Sequence, residues 1–358
     1  MTPSPGAGAT ARRVAAVVGV LGLLTVAACS SSGGETAGSS EDAPSTSVSG
    51  DSSSTTVPER ASGPSAGCEA STPAQPGTTD ERITSEGVER SYELTIPEGY
   101  DGTTPTPIVF GLHSLTVDYH VVPMLSGFAD MEGTYDFIAV SPSGRLGPTG
   151  LPYWNAAPVE DNYDLVFLTE LLDHLEETLC VDTGKVFSVG MSNGAQTSSL
   201  LACRIGDRIA AIAPIAGVEY NEPCDGPPVP VIAFHGFEDP IVPYEGGGLN
   251  SVTIADQNFY AGKVPEGTAT PTGVDESMAR WAEHNGCDPE PVEERVSPEV
   301  RKQTWENCDA PTILYIIDNG GHAWPGKPQP AFEASFGHGT SDIDATTLLF
   351  DFFFDQAS

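Results

Sequence analysis

Lys185-Val-Phe-Ser-Val-Gly-Met-Ser-Asn-Gly-Ala-Gln-Thr-Ser198 is the stretch on which the reading of this chain turns. A β-branched and aromatic run (Val186, Phe187, Val189) leads into Gly190-Met191-Ser192-Asn193-Gly194, and small, helix-compatible residues follow. The pattern predicts strand, sharp turn and helix, with Ser192 at the tip, as in a G-x-S-x-G nucleophile elbow. A turn that strains a serine leaves no room for Cβ atoms on either side, which accounts for Gly190 and Gly194. The strain lifts Oγ clear of the sheet, and the following helix aims its amides and positive dipole end at the place where an oxyanion would form. Five residues of this composition also occur by chance in loops, so the rest of the chain must supply a base and a carboxylate.

Outward from this stretch the chain alternates between two periods. Arg90 to Ile96 alternates polar and apolar residues, as a half-exposed antiparallel strand does, and Pro97, Gly99 and Asp101 then mark a turn. Ile108 to Leu112, Phe137 to Val140, Ala211 to Ala216, Val231 to His235 and Ile313 to Ile317 are short apolar runs suited to strands buried on both faces. Between Asn162 and Leu179 the apolar residues Leu165, Leu168, Leu172, Leu175 and Leu179 fall three and four apart, one stripe on a helix. Asp275 to His284 and Asp344 to Phe354 read as further helices, the last packing Leu348, Leu349, Phe352 and Phe353 inward. Strands alternating with helices imply an α/β fold whose mostly parallel central sheet carries helices on both faces. Residues 236 to 271 are rich in Gly and Pro without period and predict a long excursion on the active-site side. No internal repeat is present.

A serine needs a base, and the base needs an orienting carboxylate. The run Val231 to His235 leads into Gly236-Phe237-Glu238-Asp239-Pro240, placing carboxylates just past a strand's C-terminal end, where open parallel sheets build their sites. Asp239 is the stronger candidate and Glu238 the alternative. The run Ile313 to Ile317 is followed by Asp318-Asn319-Gly320-Gly321-His322, and His322 is the candidate base. His174 and His284 read as helix-surface residues, His338 lies in a loop, and His113 and His235 end strands in structural roles. The oxyanion donors expected are the backbone N–H of Asn193 and one from the loop after His113, Leu115 first, with Ser114 and Thr116 as neighbours.

Gly-Met-Ser-Asn-Gly-Ala at 190–195, Leu-Ala-Cys at 201–203, Ala-Pro-Ile-Ala-Gly at 213–217, His-Gly-x-x-Asp at 235–239 and Gly-Gly-His-Ala-Trp-Pro-Gly at 320–326 together resemble the secreted polyhydroxybutyrate depolymerase and feruloyl esterase family. Carbohydrate esterases of the acetyl-xylan type belong with it. The resemblance runs from about Cys68 to the C-terminus and implies an α/β-hydrolase fold, a Ser192, Asp239 and His322 triad, and no cofactor. Trp154-Asn155 resemble a family motif near the cleft, and Trp154 and Trp324 are candidates to stack on an aromatic acyl group. At His113-Ser114-Leu115 the chain departs from the family, which usually has His-Gly there.

The N-terminal region reads as export machinery. Thr10 to Ala28 holds Arg12-Arg13 and an apolar run from Val14, then ends Val26-Ala27-Ala28-Cys29, a signal peptide (1–28) with a lipobox and Cys29 as the lipidation site. About 15 apolar residues are too few for a comfortable membrane span, and the arginine pair hints at twin-arginine export. Residues 29–67 are Ser, Thr, Gly, Pro and acidic residues, a disordered tether. About 290 residues remain for one catalytic domain, 68–358. Of the 15 basic residues two lie in the signal, leaving 13 against 50 acidic ones. Nucleic acid is therefore excluded as a partner, and the membrane is reached through the lipid anchor alone. A monomer acting on an ester substrate is expected.

Besides Cys29 there are six cysteines, an even number suited to an oxidising compartment, and they admit fifteen pairings. None has metal spacing, so no zinc site is expected. With the strands placed, Cys203, ending the helix after Ser192, pairs with Cys224 before the next strand. Cys287 and Cys308 flank a local excursion and close it, and Cys68 ties the domain's start to Cys180. The competing readings are a peptidase, disfavoured because no propeller or large lid domain precedes the sheet, and a surface binding module on a dead hydrolase fold.

Overall fold

In the computed structural model of the protein, residues 62–70, 73–131, 133–147, 150–247, 272–331 and 333–355 are described. The expected signal peptide, the expected lipidation site Cys29, the expected tether up to residue 61 and most of the 236–271 excursion lie outside them. In chain order the strands are β1 (Gly77–Ser85), β2 (Val88–Ile96), β3 (Thr106–Leu112), β4 (Ile138–Pro142), β5 (Arg145–Leu146), β6 (Pro152–Tyr153), β7 (Val181–Met191), β8 (Ala211–Ile215), β9 (Val231–Gly236), β10 (Val292–Arg295), β11 (Val300–Trp305) and β12 (Thr312–Ile317). The helices are α1 (Val121–Ser126), α2 (Phe128–Met131), α3 (Tyr163–Thr178), α4 (Asn193–Arg204), α5 (Val274–His284), α6 (Glu333–Phe336) and α7 (Ala345–Asp355).

Ten strands form one sheet in the order β1-β2-β4-β3-β7-β8-β9-β12-β11-β10, and β5 and β6 form a separate hairpin. The six central strands, β4 to β12 in that order, are parallel, and antiparallel pairs close each end. Of the parallel strands, β4, β8 and β9 are buried along their whole length, β3 and β12 over their C-terminal halves, and β7 from Val186 to Gly190, as the unbroken apolar runs require. Alternate residues feed two cores. On one face Ile108, Phe110, Leu314 and Ile316 meet Phe167, Leu171 and Leu175 of α3, Leu201 of α4 and Trp281 of α5. On the other, Val109, Phe187, Phe234, Tyr315 and Ile317 meet Leu349, Phe350 and Phe353 of α7. Helix α3 starts where Asn162 accepts the N–H groups of Asp164 and Leu165, an N-cap with two bonds.

The fold begins earlier than the tether reading allows. Ser65 is buried; its hydroxyl donates to the Leu179 carbonyl (2.6 Å) and accepts the Val181 N–H (2.9 Å), while Thr183 bonds Gly63. Residues 62–67 thus belong to the domain, because they satisfy backbone groups at the start of β7 that would otherwise be buried unpaired. Disulfides join Cys68 to Cys180, Cys203 to Cys224 and Cys287 to Cys308, the same three pairs that the strand order suggested.

Candidate active site

Ser192 stands between the end of β7 and the start of α4 with φ 58° and ψ −121°, a conformation that costs an L-residue about 1–3 kcal/mol. The turn is so tight that a Cβ on Gly190 would lie 2.3 Å from the Gly194 carbonyl oxygen, and one on Gly194 would lie 2.2 Å from that of Leu112. Those contacts are why glycine is required at both places. The Ser192 N–H donates to the Ile215 carbonyl (2.8 Å), so the ladder to β8 is carried up to the serine itself.

Two strands away, β9 delivers Asp239 and the neighbouring β12 delivers His322. The His322 Nδ1 lies 2.7 Å from Asp239 Oδ2, and both residues are buried. Asp239 Oδ1 accepts the N–H groups of Ile241 (2.7 Å) and Val242 (2.9 Å), which fixes the carboxylate's orientation. Glu238, the alternative, is exposed, and its N–H bonds Gly320. The His322 N–H donates to the Phe336 carbonyl, and the Phe336 ring lies 6.3 Å from the imidazole at 28°. Among the described residues no hydrogen bond joins Ser192 Oγ to His322. The formed pair is His322 with Asp239, and serine and base commonly tighten only when substrate binds.

The buried histidines act as posts. His113 accepts the Gly144 N–H at Nε2 (2.9 Å) and bonds the Ser114 carbonyl through Nδ1 (2.8 Å); burial pushes its pKa down to about 4, so the ring is neutral. His235 bonds the Val242 carbonyl (2.9 Å) beneath Asp239, and burial again lowers its pKa. Glu219, just beyond β8, accepts from Gln196 on α4 (2.9 Å), and burial raises its carboxyl to about 7.

The loop after β3 is tied down on both sides. The Ser114 hydroxyl donates to the Met191 carbonyl (3.1 Å), and Thr116, at φ 66°, donates its N–H to Pro152 (2.8 Å). That bond removes Thr116 as an oxyanion donor. Farther along, His120 lies between Asp80 of β1 (2.7 Å) and Asp118 (2.6 Å). Burial acts to lower its pKa, but the two carboxylates outweigh it and raise the value.

The tryptophans are the correction. Trp154 is 1% exposed and Trp324 is 5% exposed, so neither presents a ring face to a substrate. Each indole N–H is spent inside the protein, on the His113 carbonyl (3.0 Å) and on Thr346 Oγ1 (3.0 Å). A buried indole N–H usually finds a partner, and both rings are accommodated in the core with that donor satisfied. The aromatic that stands 39% exposed beside the imidazole is Phe336, for which the sequence carries no signal.

No protein-family model matches the chain. Two curated relatives are a probable feruloyl esterase C of Aspergillus niger, 27% identical over 65% of this chain and 76% of the relative, and feruloyl esterase C of Emericella nidulans, 29% identical over the same shares. Among solved structures, an acetyl xylan esterase from Aspergillus awamori superposes with a TM-score of 0.51 at 16% identity, covering 68% of this chain and 94% of that one. The fold is that of an α/β-hydrolase. The relatives it resembles in sequence are named feruloyl esterases.

Proposed function

We propose that the protein is a secreted serine esterase that hydrolyses carboxylic esters through an acyl-enzyme. The observation that carries this reading is the buried Asp239–His322 bond together with a serine held in a strained elbow, all beyond the C-terminal ends of β7, β9 and β12 of one mostly parallel sheet. Ser192 Oγ attacks the ester carbonyl as its proton passes to His322 Nε2, with Asp239 holding the tautomer and stabilising the imidazolium. The tetrahedral oxyanion is received by the N–H groups of Asn193 and Leu115, each donor contributing about 2.7–4 kcal/mol to the transition state. Collapse expels the alkoxide, which takes the proton from His322. Water, deprotonated by the same imidazole, then releases the acid and regenerates Ser192.

For the acyl group we favour a feruloyl-type aromatic acid. The names of the relatives and the exposed Phe336 ring beside His322 support it. An acetylated xylan or a hydroxybutyrate polyester is the competing substrate. Esterase relatives and the three disulfides favour an oxidising, extracellular setting, and Cys29 is proposed to carry the lipid anchor. The test is kcat/KM on methyl ferulate, p-nitrophenyl acetate and 3-hydroxybutyrate oligomers, with Ser192→Ala beside the wild type. Preference for the ferulate supports the reading, preference for the oligomers moves the protein to polyester breakdown, and a Ser192→Ala variant as active as wild type overturns the triad. Fluorophosphonate labelling separates the binding-module alternative, which predicts an unreactive serine in a folded domain.

A further inference from the structure

Trp154 and the Asn193 side chain form a contact that ester hydrolysis by a triad does not call for. The Trp154 N–H donates to Asn193 Oδ1 (2.7 Å), and Asn193 Nδ2 donates back to the Trp154 carbonyl (3.1 Å). The side-chain amide thereby pairs with a backbone peptide as one strand residue pairs with another. At the same time the Trp154 indole donates to the His113 carbonyl (3.0 Å), and its ring packs on the His113 ring at 4.8 Å. His113 opens the loop that carries Leu115, and Asn193 follows the nucleophile. One residue therefore grips both segments from which the two oxyanion N–H groups are drawn.

The grip is itself anchored. The N–H of Asn155 donates to Asp164 Oδ2 (2.8 Å), and Asp164 Oδ1 pairs with Arg90 at 2.6 Å, with both side chains of that pair buried. Asn162 adds bonds to the carbonyls of Asn155 (2.7 Å) and Ala157 (2.9 Å). Segment 154–157 is thus fastened to the start of α3 and to β2, two elements that take no part in the chemistry. Preorganised donors stabilise a developing oxyanion because they need not reorient during the reaction. Two donors on different segments need a common support to keep their spacing.

We propose that Trp154 and the Asn193 side chain are positioning residues that hold the two oxyanion donors at a fixed separation. The inference rests on the esterase reading above. It makes Trp154 a part of the oxyanion hole's frame, reached through other residues, and leaves its ring out of substrate contact.

The experiment compares wild type, Asn193→Ala, Trp154→Phe and Ser192→Ala on methyl ferulate, and measures inhibition by phenylboronic acid, whose tetrahedral adduct with the serine places an oxygen in the oxyanion position. Asn193→Ala keeps the backbone N–H and removes the clamp, and Trp154→Phe keeps a ring and removes the indole donor. The expected result is a kcat ten- to a hundredfold lower with KM within about twofold, and a boronate Ki raised by a similar factor. A folded Asn193→Ala enzyme with wild-type kcat and Ki overturns the proposal, as does a fall in kcat with an unchanged Ki. Should Trp154→Phe not fold, Asn193→Ala decides alone; should neither fold, the pair is structural and the positioning role is rejected. If Ser192→Ala hydrolyses the ester as fast as wild type, the esterase reading itself fails. If only the clamp variants match wild type, the esterase reading stands and this inference falls.

Discussion

At the scale of single residues, a buried histidine and a half-buried glutamate link the site's surroundings to pH with opposite signs. His113 has its folded pKa depressed to about 4, below the ordinary value of 6.5. Its contribution to stability is complete above about pH 6.5 and is lost as pH falls toward 4, an effect of about 3 kcal/mol. Denaturant unfolding followed across that interval is expected to show the loss, and His113→Gln, which retains a donor and an acceptor, to flatten it. Glu219 runs the other way: half-buried, its carboxyl is raised to about 7, so the stability it lends at low pH is lost as pH rises from the ordinary glutamate value of 4.5 to about 7. Glu219→Gln is therefore expected to raise Tm at pH 8 and leave it unchanged at about pH 3, below both folded and unfolded values. A variant less stable than wild type at pH 8 would show that the charge is compensated in a way the Gln196 contact does not reveal.

At the scale of elements, the segment before Cys68 makes the sharpest prediction. A chain beginning at Cys68 lacks Ser65 and leaves the Leu179 carbonyl and Val181 N–H without their partner, so it should be less stable by about 1–3 kcal/mol than one beginning at Ser62. Equal midpoints in urea would refute this. Ser62–Gly67 could not be told from the tether by composition, because a strap that lends hydrogen bonds without burying apolar bulk looks like linker in sequence. The same limit hid β1, β10 and β11. β1 is Gly-Thr-Thr-Asp-Glu-Arg-Ile-Thr-Ser, exposed over most of its length, and β10 is exposed throughout, so neither carries the period on which strands are recognised. The parallel strands were legible because two buried faces demand unbroken apolar runs. For that reason the expected positions of Ser192, Asp239 and His322 coincide with strand ends in the structure: each follows such a run. The clamp was not legible, since Trp154 and Asn193 lie 39 residues apart and a tryptophan near a cleft suggests a stacking platform.

At the scale of the whole molecule, a parallel centre closed at both margins by antiparallel strands assembles the site from residues distributed over 131 positions, from Ser192 to His322, yet the covalent cross-links follow a simpler rule. Cys68 joins Cys180, Cys203 joins Cys224, and Cys287 joins Cys308: each cysteine in the domain is linked to its immediate neighbour in the series, with no bridge nested in or crossing another. For a polypeptide threaded through a translocation pore from its N-terminus, this ordering means that each thiol meets its proper mate before any later competitor has emerged. Oxidation can then keep step with delivery, so that during vectorial export a disulfide isomerase should add little to the yield of correctly bridged domain. A host supplying only a thiol oxidase to its exported proteins would be sufficient for this one.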